Sequence, residues 1–188
     1  MNQIKKYLTV TSHQKVLSFL LNHPSRSYME KEIAKAAKVS KSAVNEALKE
    51  LAKDKLILQE KRGRMSFYSV DLNDPLIRRL KSTENVSLLM PLVEQLKKIS
   101  QKIILFGSFA EGTDIEDSDI DLFVLSNQPE SAQRIIQKSS LSEKIQPVIK
   151  KQVEFIGLDK KKPLFYQEIE KGIILWEAKW TALNSKNV

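Results

Sequence analysis

The sequence predicts a mixed α/β chain, of the α+β kind, in which three short helices and a hairpin precede a small mixed sheet with helices against it. Three observations carry this prediction. Apolar residues recur at helical spacing between residues 16 and 51, strand and helix patterns alternate after residue 100, and the net charge is confined to the first part of the chain. We therefore place a first domain at residues 1–72, a linker at 73–84 and a second domain at 85–188.

Composition excludes several classes of protein. The chain has 188 residues, of which 41% are hydrophobic and 29% charged, enough for one domain or two small ones. Its apolar runs fall far short of the roughly 20 residues that span a bilayer, and no secretory signal pattern is present, so we expect a cytoplasmic protein with no membrane association. The absence of cysteine excludes disulfides and thiolate metal sites, and with His13 and His23 as the sole histidines, a site of several histidines is disfavoured.

The charge distribution indicates a polyanionic partner. Residues 1–70 hold 14 Lys+Arg and 6 Asp+Glu, a net charge of +8, whereas residues 71–188 hold 17 of each. Neutralisation of phosphates supplies most non-specific affinity for nucleic acid. The first domain is therefore a candidate nucleic-acid-binding module.

Capping residues predict where the first three helices begin. Thr11 or Ser12 caps a helix that runs to about Leu21, a second helix begins near Met29, and Ser40 caps a third. The third helix has an apolar face (Val44, Leu48, Leu51) and an opposite face of short polar and basic side chains: Lys41, Ser42, Asn45 and Lys49.

Two strands follow, at 56–60 and 65–70, and a basic tip made of Lys61, Arg62, Gly63 and Arg64 joins them. Three helices followed by a basic hairpin make a winged helix. The segment 33–48 resembles the helix-turn-helix of winged-helix transcription factors.

That resemblance implies a DNA partner and assigns roles to the polar face and the hairpin. Ser42 and Asn45 would lie near base edges, and Lys41 and Lys49 near phosphates. The wing residues would reach the flanking backbone or the minor groove: Lys61, Arg62 and Arg64. Such regulators often bind two half-sites as dimers, so we expect a homodimer.

The second half predicts helices and strands in alternation. A linking helix carries Arg78, Arg79 and Lys81, and a separate helix is predicted at 86–99, which tolerates Pro91 only if Pro91 falls in the first turn. The later elements follow in order: a strand at 102–106, a short helix at 108–112, a strand at 120–126, a helix at 132–138, a third strand at 152–157, a helix at 164–171 and a last strand at 173–176.

Candidate chemistry is concentrated between residues 104 and 124. Residues two apart on a strand project from the same face, so Asp119 and Asp121 place two carboxylates side by side, an arrangement that suits Mg²⁺. Gly107 and Ser108 stand between a strand and a helix, where backbone N–H groups can hold a phosphate. Glu154, in the middle of the predicted third strand, would supply a third carboxylate. We expect three other acids of this region to be solvated loop charges: Asp114, Glu116 and Asp117.

The spacing of these motifs resembles a known family. Gly107-Ser108, ten residues and then Asp119-Ile120-Asp121 resemble the signature of the DNA polymerase beta-like nucleotidyltransferase superfamily, in its minimal nucleotidyltransferase branch, over about residues 85–180. The resemblance implies that Gly107, Ser108 and Ser118 bind a nucleoside triphosphate, with ATP as the expected one. It also implies two Mg²⁺ ions on Asp119 and Asp121, and transfer of a nucleotidyl group to a hydroxyl with pyrophosphate as the leaving group. Asp119, Asp121 and Glu154 would then be the catalytic residues.

Three functions remain open. Related minimal nucleotidyltransferases act as antitoxins that adenylylate HEPN-family ribonuclease toxins, which makes a toxin protein one expected acceptor and autoregulation the expected role of the winged helix. Glu111, where many members have a basic residue, favours a second reading, an ATP-sensing regulator without turnover. The third is transfer to a small molecule.

Overall fold

The computed structural model describes residues 10–155 and 163–178. Its first part contains helix α1 (Ser12–Asn22), strand β1 (Tyr28–Met29), helix α2 (Glu30–Ala37) and helix α3 (Lys41–Lys53). Thr11 caps α1, since its side chain accepts from the backbone N–H of Gln14 and the Gln14 side chain accepts from the Thr11 N–H. The predicted caps of α1 and α3 are both confirmed, because Ser40 accepts from Ala43 N–H at the start of α3.

A three-stranded antiparallel sheet completes the wing. Strands β2 (Leu58–Arg62) and β3 (Met65–Ser69) form the predicted hairpin, and β1 pairs with the other edge of β3. Arg62 lies opposite Met65, which leaves a two-residue turn at Gly63, whose φ of 62° is in the left-handed region that suits glycine. The strand β1 was not predicted, because two residues show no periodicity.

One apolar core lies beneath these elements. Val16 and Leu20 of α1, Ile33 of α2 and Leu48 of α3 are fully buried, and Tyr68 of β3 packs in the same cluster. The spacing of the apolar residues in α3 therefore identified its buried face.

Helix α4 (Pro75–Leu96) is continuous where two helices had been predicted. The prediction that Pro91 lies in a first turn is wrong, since it lies inside α4, where it is exposed. A proline in a helix interior removes one backbone hydrogen bond. Burial of Leu92, Val93 and Leu96 just after it stabilises the helix against that loss.

The chain divides into two units that are not the two halves of the sequence. The first comprises Met1–Leu89 together with Ser108–Ser118, and the second comprises Met90–Gly107 together with Asp119–Val188. The segment Ser108–Ser118, between the Gly-Ser and Asp-x-Asp motifs, thus packs with the winged helix and the first part of α4.

The second unit contains a four-stranded mixed sheet in the order β6-β5-β4-β7. Strand β4 is antiparallel to β5 and β7, whereas β5 and β6 are parallel. The strands are β4 (Lys102–Phe106), β5 (Ile120–Leu125), β6 (Ile145–Lys150) and β7 (Ile173–Glu177). Helix α5 (Gly107–Glu111) follows β4 and lies almost entirely in the segment Ser108–Ser118 of the first unit, whereas α6 (Pro129–Gln137), α7 (Gln152–Phe155) and α8 (Pro163–Glu170) belong to the second. Phe123 and Ile169 are buried in its core. The mixed fold class is confirmed.

The prediction of the third strand is wrong. Residues 152–155 form the short helix α7, and the strand beside β5 is β6, which begins at Ile145. The error has a local cause: Val153-Glu154-Phe155 alternates as a strand does, while Pro147 interrupts the pattern of β6. The rest of the predicted strand, 156–157, lies outside the described residues, as do Lys160–Lys162 and Trp180. Within the described ranges, no helix is long and apolar enough to span a membrane.

Candidate nucleotide and nucleic-acid sites

Asp119 immediately precedes β5 and Asp121 is its second residue, and their neighbours alternate in burial as predicted. Ile120 and Leu122 are fully buried, whereas Asp119 is exposed and Asp121 is half-buried. Burial raises the pKa of the Asp121 carboxyl above its usual range, and the carboxylates of Asp119 and Glu168 raise it further. Asp121 is therefore in an environment that disfavours its own negative charge, which a bound cation would relieve.

Gly107 lies against Asp121. In the antiparallel ladder, Asp121 is opposite Phe106, the last residue of β4, and Gly107 comes next with a φ of 67°. A Cβ atom at residue 107 would overlap the Oδ2 atom of Asp121. The glycine of the Gly-Ser motif is thus required both by its backbone conformation and by the space that the carboxylate fills.

The two serines of the motif lie at the ends of the segment Ser108–Ser118. The Ser108 carbonyl accepts from Thr113 N–H at 3.0 Å, and the Ser118 hydroxyl accepts from Ile115 N–H at 2.9 Å. Both bonds are local, and they fold the segment back on itself at each end.

Glu154 does not occupy the position predicted for it. It lies on α7, it is exposed, and its carboxylate accepts from the backbone N–H of Lys151 at 2.8 Å. In β6 the residue in register with Asp121 is Gln146, and β6 contains no acidic residue. The premise on which a catalytic Glu154 rested, a place on the strand next to Asp121, is therefore wrong.

Two carboxylates suit one divalent cation with phosphate ligands. Mg²⁺ is commonly bound through one or two protein carboxylates, with water and substrate phosphates completing its octahedron. Among residues 10–155 and 163–178, no three acidic or histidine side chains are grouped closely enough to hold a metal ion. Asp119 and Asp121 therefore fit a site that the phosphates of a nucleotide complete, rather than a cage made by protein ligands.

The predicted DNA-contact face of α3 is largely exposed. Lys41, Ser42 and Lys49 are exposed on this helix. Asn45 is half-buried, and its amide donates to the Glu30 carboxylate at 2.9 Å. A base contact by Asn45 would have to exchange that bond, whereas the two lysines can reach phosphates directly.

The wing carries its three cations at the end of β2 and in the turn. Lys61 and Arg64 are exposed. Arg62 donates to the Glu60 carboxylate at 2.6 and 3.0 Å, and its guanidinium lies 4.7 Å from the centre of the Phe67 ring. Glu60 offsets part of the charge of Arg62, so Lys61 and Arg64 contribute most of the positive charge of the tip.

The prediction of solvated acids is wrong for Asp114, whereas Glu116 is only half-buried. Asp114 is 3% exposed and forms an ion pair of 3.0 Å with Lys81 of α4. Glu116 accepts from the hydroxyl of Ser25. Asp117 is exposed, as predicted.

Residues 89–180 match the family model described as polymerase beta, nucleotidyltransferase. The chain carries a polymerase beta nucleotidyltransferase domain. Residues 27–69 match the model described as the Mnd1 HTH domain, so a helix-turn-helix domain precedes the nucleotidyltransferase domain. No curated protein matches this chain.

Two solved structures have a distant likeness to the chain. A mutant of ZitR from Lactococcus lactis, in complex with DNA, is 22% identical with a TM-score of 0.37 over 45% of this chain and 60% of that chain. A provisionally assigned nucleotidyltransferase from Sulfolobus solfataricus is 14% identical with a TM-score of 0.33, over 52% and 84%. The chain thus spans 60% of the length of the ZitR structure.

Two sets of contacts to the motif region were missed by sequence reasoning. Glu168 of α8 acts on the charge of Asp121, although 46 positions separate them in the sequence and no motif links them. Lys81 and Asn85 of α4 are buried against the segment Ser108–Ser118. A buried lysine has no periodic signature, so tertiary structure alone identifies it.

Proposed function

We propose that the chain is a DNA-binding transcriptional regulator fused to a Mg²⁺-dependent nucleotidyltransferase, which transfers a nucleotidyl group, AMP, from a nucleoside triphosphate to a hydroxyl of a macromolecule. The observation that carries the enzymatic part is the placement of Asp119 and Asp121 at the start of β5, with Gly107 against Asp121. It lies in the domain that matches the polymerase beta nucleotidyltransferase family.

The proposed reaction is a substitution at the α-phosphorus of the nucleoside triphosphate, with pyrophosphate as the leaving group. The acceptor oxygen forms a bond to the α-phosphorus, the bond from that phosphorus to the bridging oxygen breaks, pyrophosphate leaves, and the hydroxyl proton passes to a base. Asp119 and Asp121 would hold Mg²⁺, which supplies positive charge to the phosphates when bound. Gly107, Ser108 and Ser118 would bind the triphosphate, as the family resemblance implies.

Glu168 is the acid that we propose in the role first given to Glu154. It acts electrostatically on Asp121. A carboxylate beside the metal-binding pair can orient the acceptor hydroxyl or accept its proton. Glu154, exposed and bound to the backbone of Lys151, is not proposed again.

DNA binding is supported by charge and shape together. The entire net charge of +8 lies in residues 1–70, and exposed cations occur both on α3 and on the wing. A helix for the major groove and a basic hairpin for the flanking backbone are the usual elements of a winged-helix interface. We propose a homodimer on two half-sites, and a toxin protein of the HEPN class as one acceptor.

A second function, an ATP-sensing regulator without turnover, is favoured by one observation. The position of β6 next to Asp121 holds Gln146, an amide where a third carboxylate would complete the site. In this alternative the nucleotide would bind at Asp119 and Asp121 and leave unchanged.

A labelling experiment separates the two functions. The purified protein is incubated with Mg²⁺ and α-³²P-labelled ATP in lysate of its source. Wild type and Asp117→Asn, an exposed acid of the same region, are expected to label a macromolecule, whereas Asp119→Asn is expected to label none. ATP binding by calorimetry without any labelling would instead support the ATP sensor.

A further inference from the structure

A row of buried polar groups on α4 binds the segment Ser108–Ser118. Lys81, Ser82 and Asn85 are 2%, 5% and 2% exposed. The spacing 81, 82 and 85 places them on one side of the helix. Buried lysine and asparagine side chains are costly unless every polar atom has a partner, and these have partners in the segment.

The contacts are made at several points of the segment. Lys81 Nζ pairs with Asp114 Oδ2 at 3.0 Å, and Asn85 Nδ2 donates to Asp114 Oδ1 at 2.7 Å, so both carboxylate oxygens are bound. Asn85 also donates to the Phe109 carbonyl at 3.0 Å, and the Ser82 hydroxyl to the Ala110 carbonyl at 2.8 Å.

The backbone of the segment also lies close to α4. A Cβ atom at Gly112, whose φ is 71°, would overlap the carbonyl of Arg78. Side chains of α4 thus bind three residues on either side of Gly112: Phe109, Ala110 and Asp114. This leaves the segment little freedom to shift along the helix.

The segment begins and ends at groups proposed to bind the nucleotide. Ser108 is its first residue and Ser118 its last, and Asp119 follows directly in the chain. Any movement of the segment would move Ser108 and Ser118. The groups that hold a reacting substrate must be fixed within a fraction of an ångström, and their supporting contacts provide that precision.

We propose that Lys81 and Asn85 are positioning residues for nucleotidyl transfer, which hold Ser108 and Ser118 in place through Asp114 and Phe109. This inference rests on the proposed nucleotide site. Helix α4 begins at Pro75, before the family match at residue 89, and under this proposal its side chains support the nucleotide site.

Lys81 has a second bond that extends this support to the winged helix. Its ammonium group donates to the carbonyl of Leu21, near the end of α1, at 2.7 Å. The hydroxyl of Ser25, three residues after α1, donates to Glu116. The winged helix therefore contributes to holding the segment. Asn85 is the better residue to test, since its side-chain amide donates to the segment, at Phe109 and Asp114.

The test compares Asn85→Ala and Lys81→Met with Thr83→Ala, a control on the exposed side of the same helix whose hydroxyl bonds only within α4. Hydrogen exchange of the full chain reports on amides 108–118, calorimetry reports MgATP affinity, and melting curves and DNA affinity report folding. Asn85→Ala and Lys81→Met are expected to increase exchange in 108–118 and to weaken MgATP binding about tenfold or more, with DNA affinity unchanged for Asn85→Ala. Thr83→Ala is expected to match wild type in all of these.

Two outcomes would overturn the inference, and they are distinguishable. If Asn85→Ala loosens the segment and retains wild-type MgATP affinity, its role is structural and the positioning role is refuted while the proposed function stands. If wild type itself binds no MgATP, the proposed function fails and the inference fails with it. If Lys81→Met does not fold, Asn85→Ala still distinguishes a positioning role from a structural one.

Discussion

The α-carbon of Gly107 faces the carboxylate of Asp121 so closely that a methyl group there would occupy the place of Oδ2. This contact joins the two halves of the signature, Gly107-Ser108 and Asp119-Ile120-Asp121, which ten intervening residues separate in the chain but which adjacent strands bring together. The glycine is thus part of the geometry of the acidic pair.

Gly107→Ala should weaken MgATP binding in a chain that still folds. Gly63→Ala is its matched control, because Gly63 has a similar φ of 62° and open space around its α-carbon. Each variant pays about 1–2 kcal/mol for a left-handed alanine. Gly107→Ala alone also displaces Asp121, so MgATP affinity should fall at least about tenfold in that variant and stay unchanged in Gly63→Ala. Equal affinity in both variants would contradict the role of the Gly107 contact.

Asp121→Asn should stabilise the metal-free protein at neutral pH. Because burial and two carboxylates raise the pKa of Asp121 in the folded state, its ionisation favours unfolding at every pH above the folded-state pKa. This loss of folding stability disappears as the pH falls below the usual pKa of aspartate, where the carboxyl is protonated in both the folded and the unfolded state. Since the group is partly exposed, we expect Tm to rise by about 1–2 °C. Mg²⁺ with ATP should raise the Tm of wild type more than that of Asp121→Asn; the reverse order would count against a cation at this site.

Glu168→Gln should lower transfer, and Glu154→Gln should not. Both side chains are exposed, but Glu168 raises the pKa of Asp121, whereas the Glu154 carboxylate accepts from Lys151 N–H. If Glu168 orients or deprotonates the acceptor, its loss should slow labelling roughly 100-fold with ATP affinity little changed. The rates of label transfer are measured for both variants. Slow transfer by Glu154→Gln alone would show that Glu154, and not Glu168, is the third catalytic carboxylate.

Lys49→Ala should weaken DNA binding and reduce its salt dependence. An exposed lysine that contacts a phosphate contributes about 0.9 to the slope of log K against log salt. Lys98→Ala, an exposed lysine outside the basic domain, is the control and should leave the slope unchanged. If the DNA affinity of wild type did not change with salt concentration, the proposed phosphate contacts would be refuted.

Helical periodicity and capping predicted the first domain well, because both are local. Thr11 and Ser40 cap their helices as predicted, and the apolar face of α3 is the buried one. The sequence also predicted that Asp119 and Asp121 share one face, because their apolar neighbours in β5 are buried on the other.

The failures are tertiary in origin. Glu154 was placed on a strand by alternation, yet β6 is the segment that completes parallel pairs with β5. Asp114 was predicted to be solvated from its loop composition, whereas Lys81, 33 positions earlier, buries it in an ion pair. Pairings at this sequence separation leave no local pattern, so periodicity and capping along a single sequence do not reveal them.

The most direct test of nucleotidyl transfer uses ATP labelled at the α- or the γ-phosphate in parallel reactions of the full chain with Mg²⁺ and source lysate. We expect a macromolecule to be labelled from α-³²P-ATP and to remain unlabelled from γ-³²P-ATP, with the label lost in Asp119→Asn and kept in Asp117→Asn. Label from the γ-phosphate alone, or α-label that persists in Asp119→Asn, would contradict it.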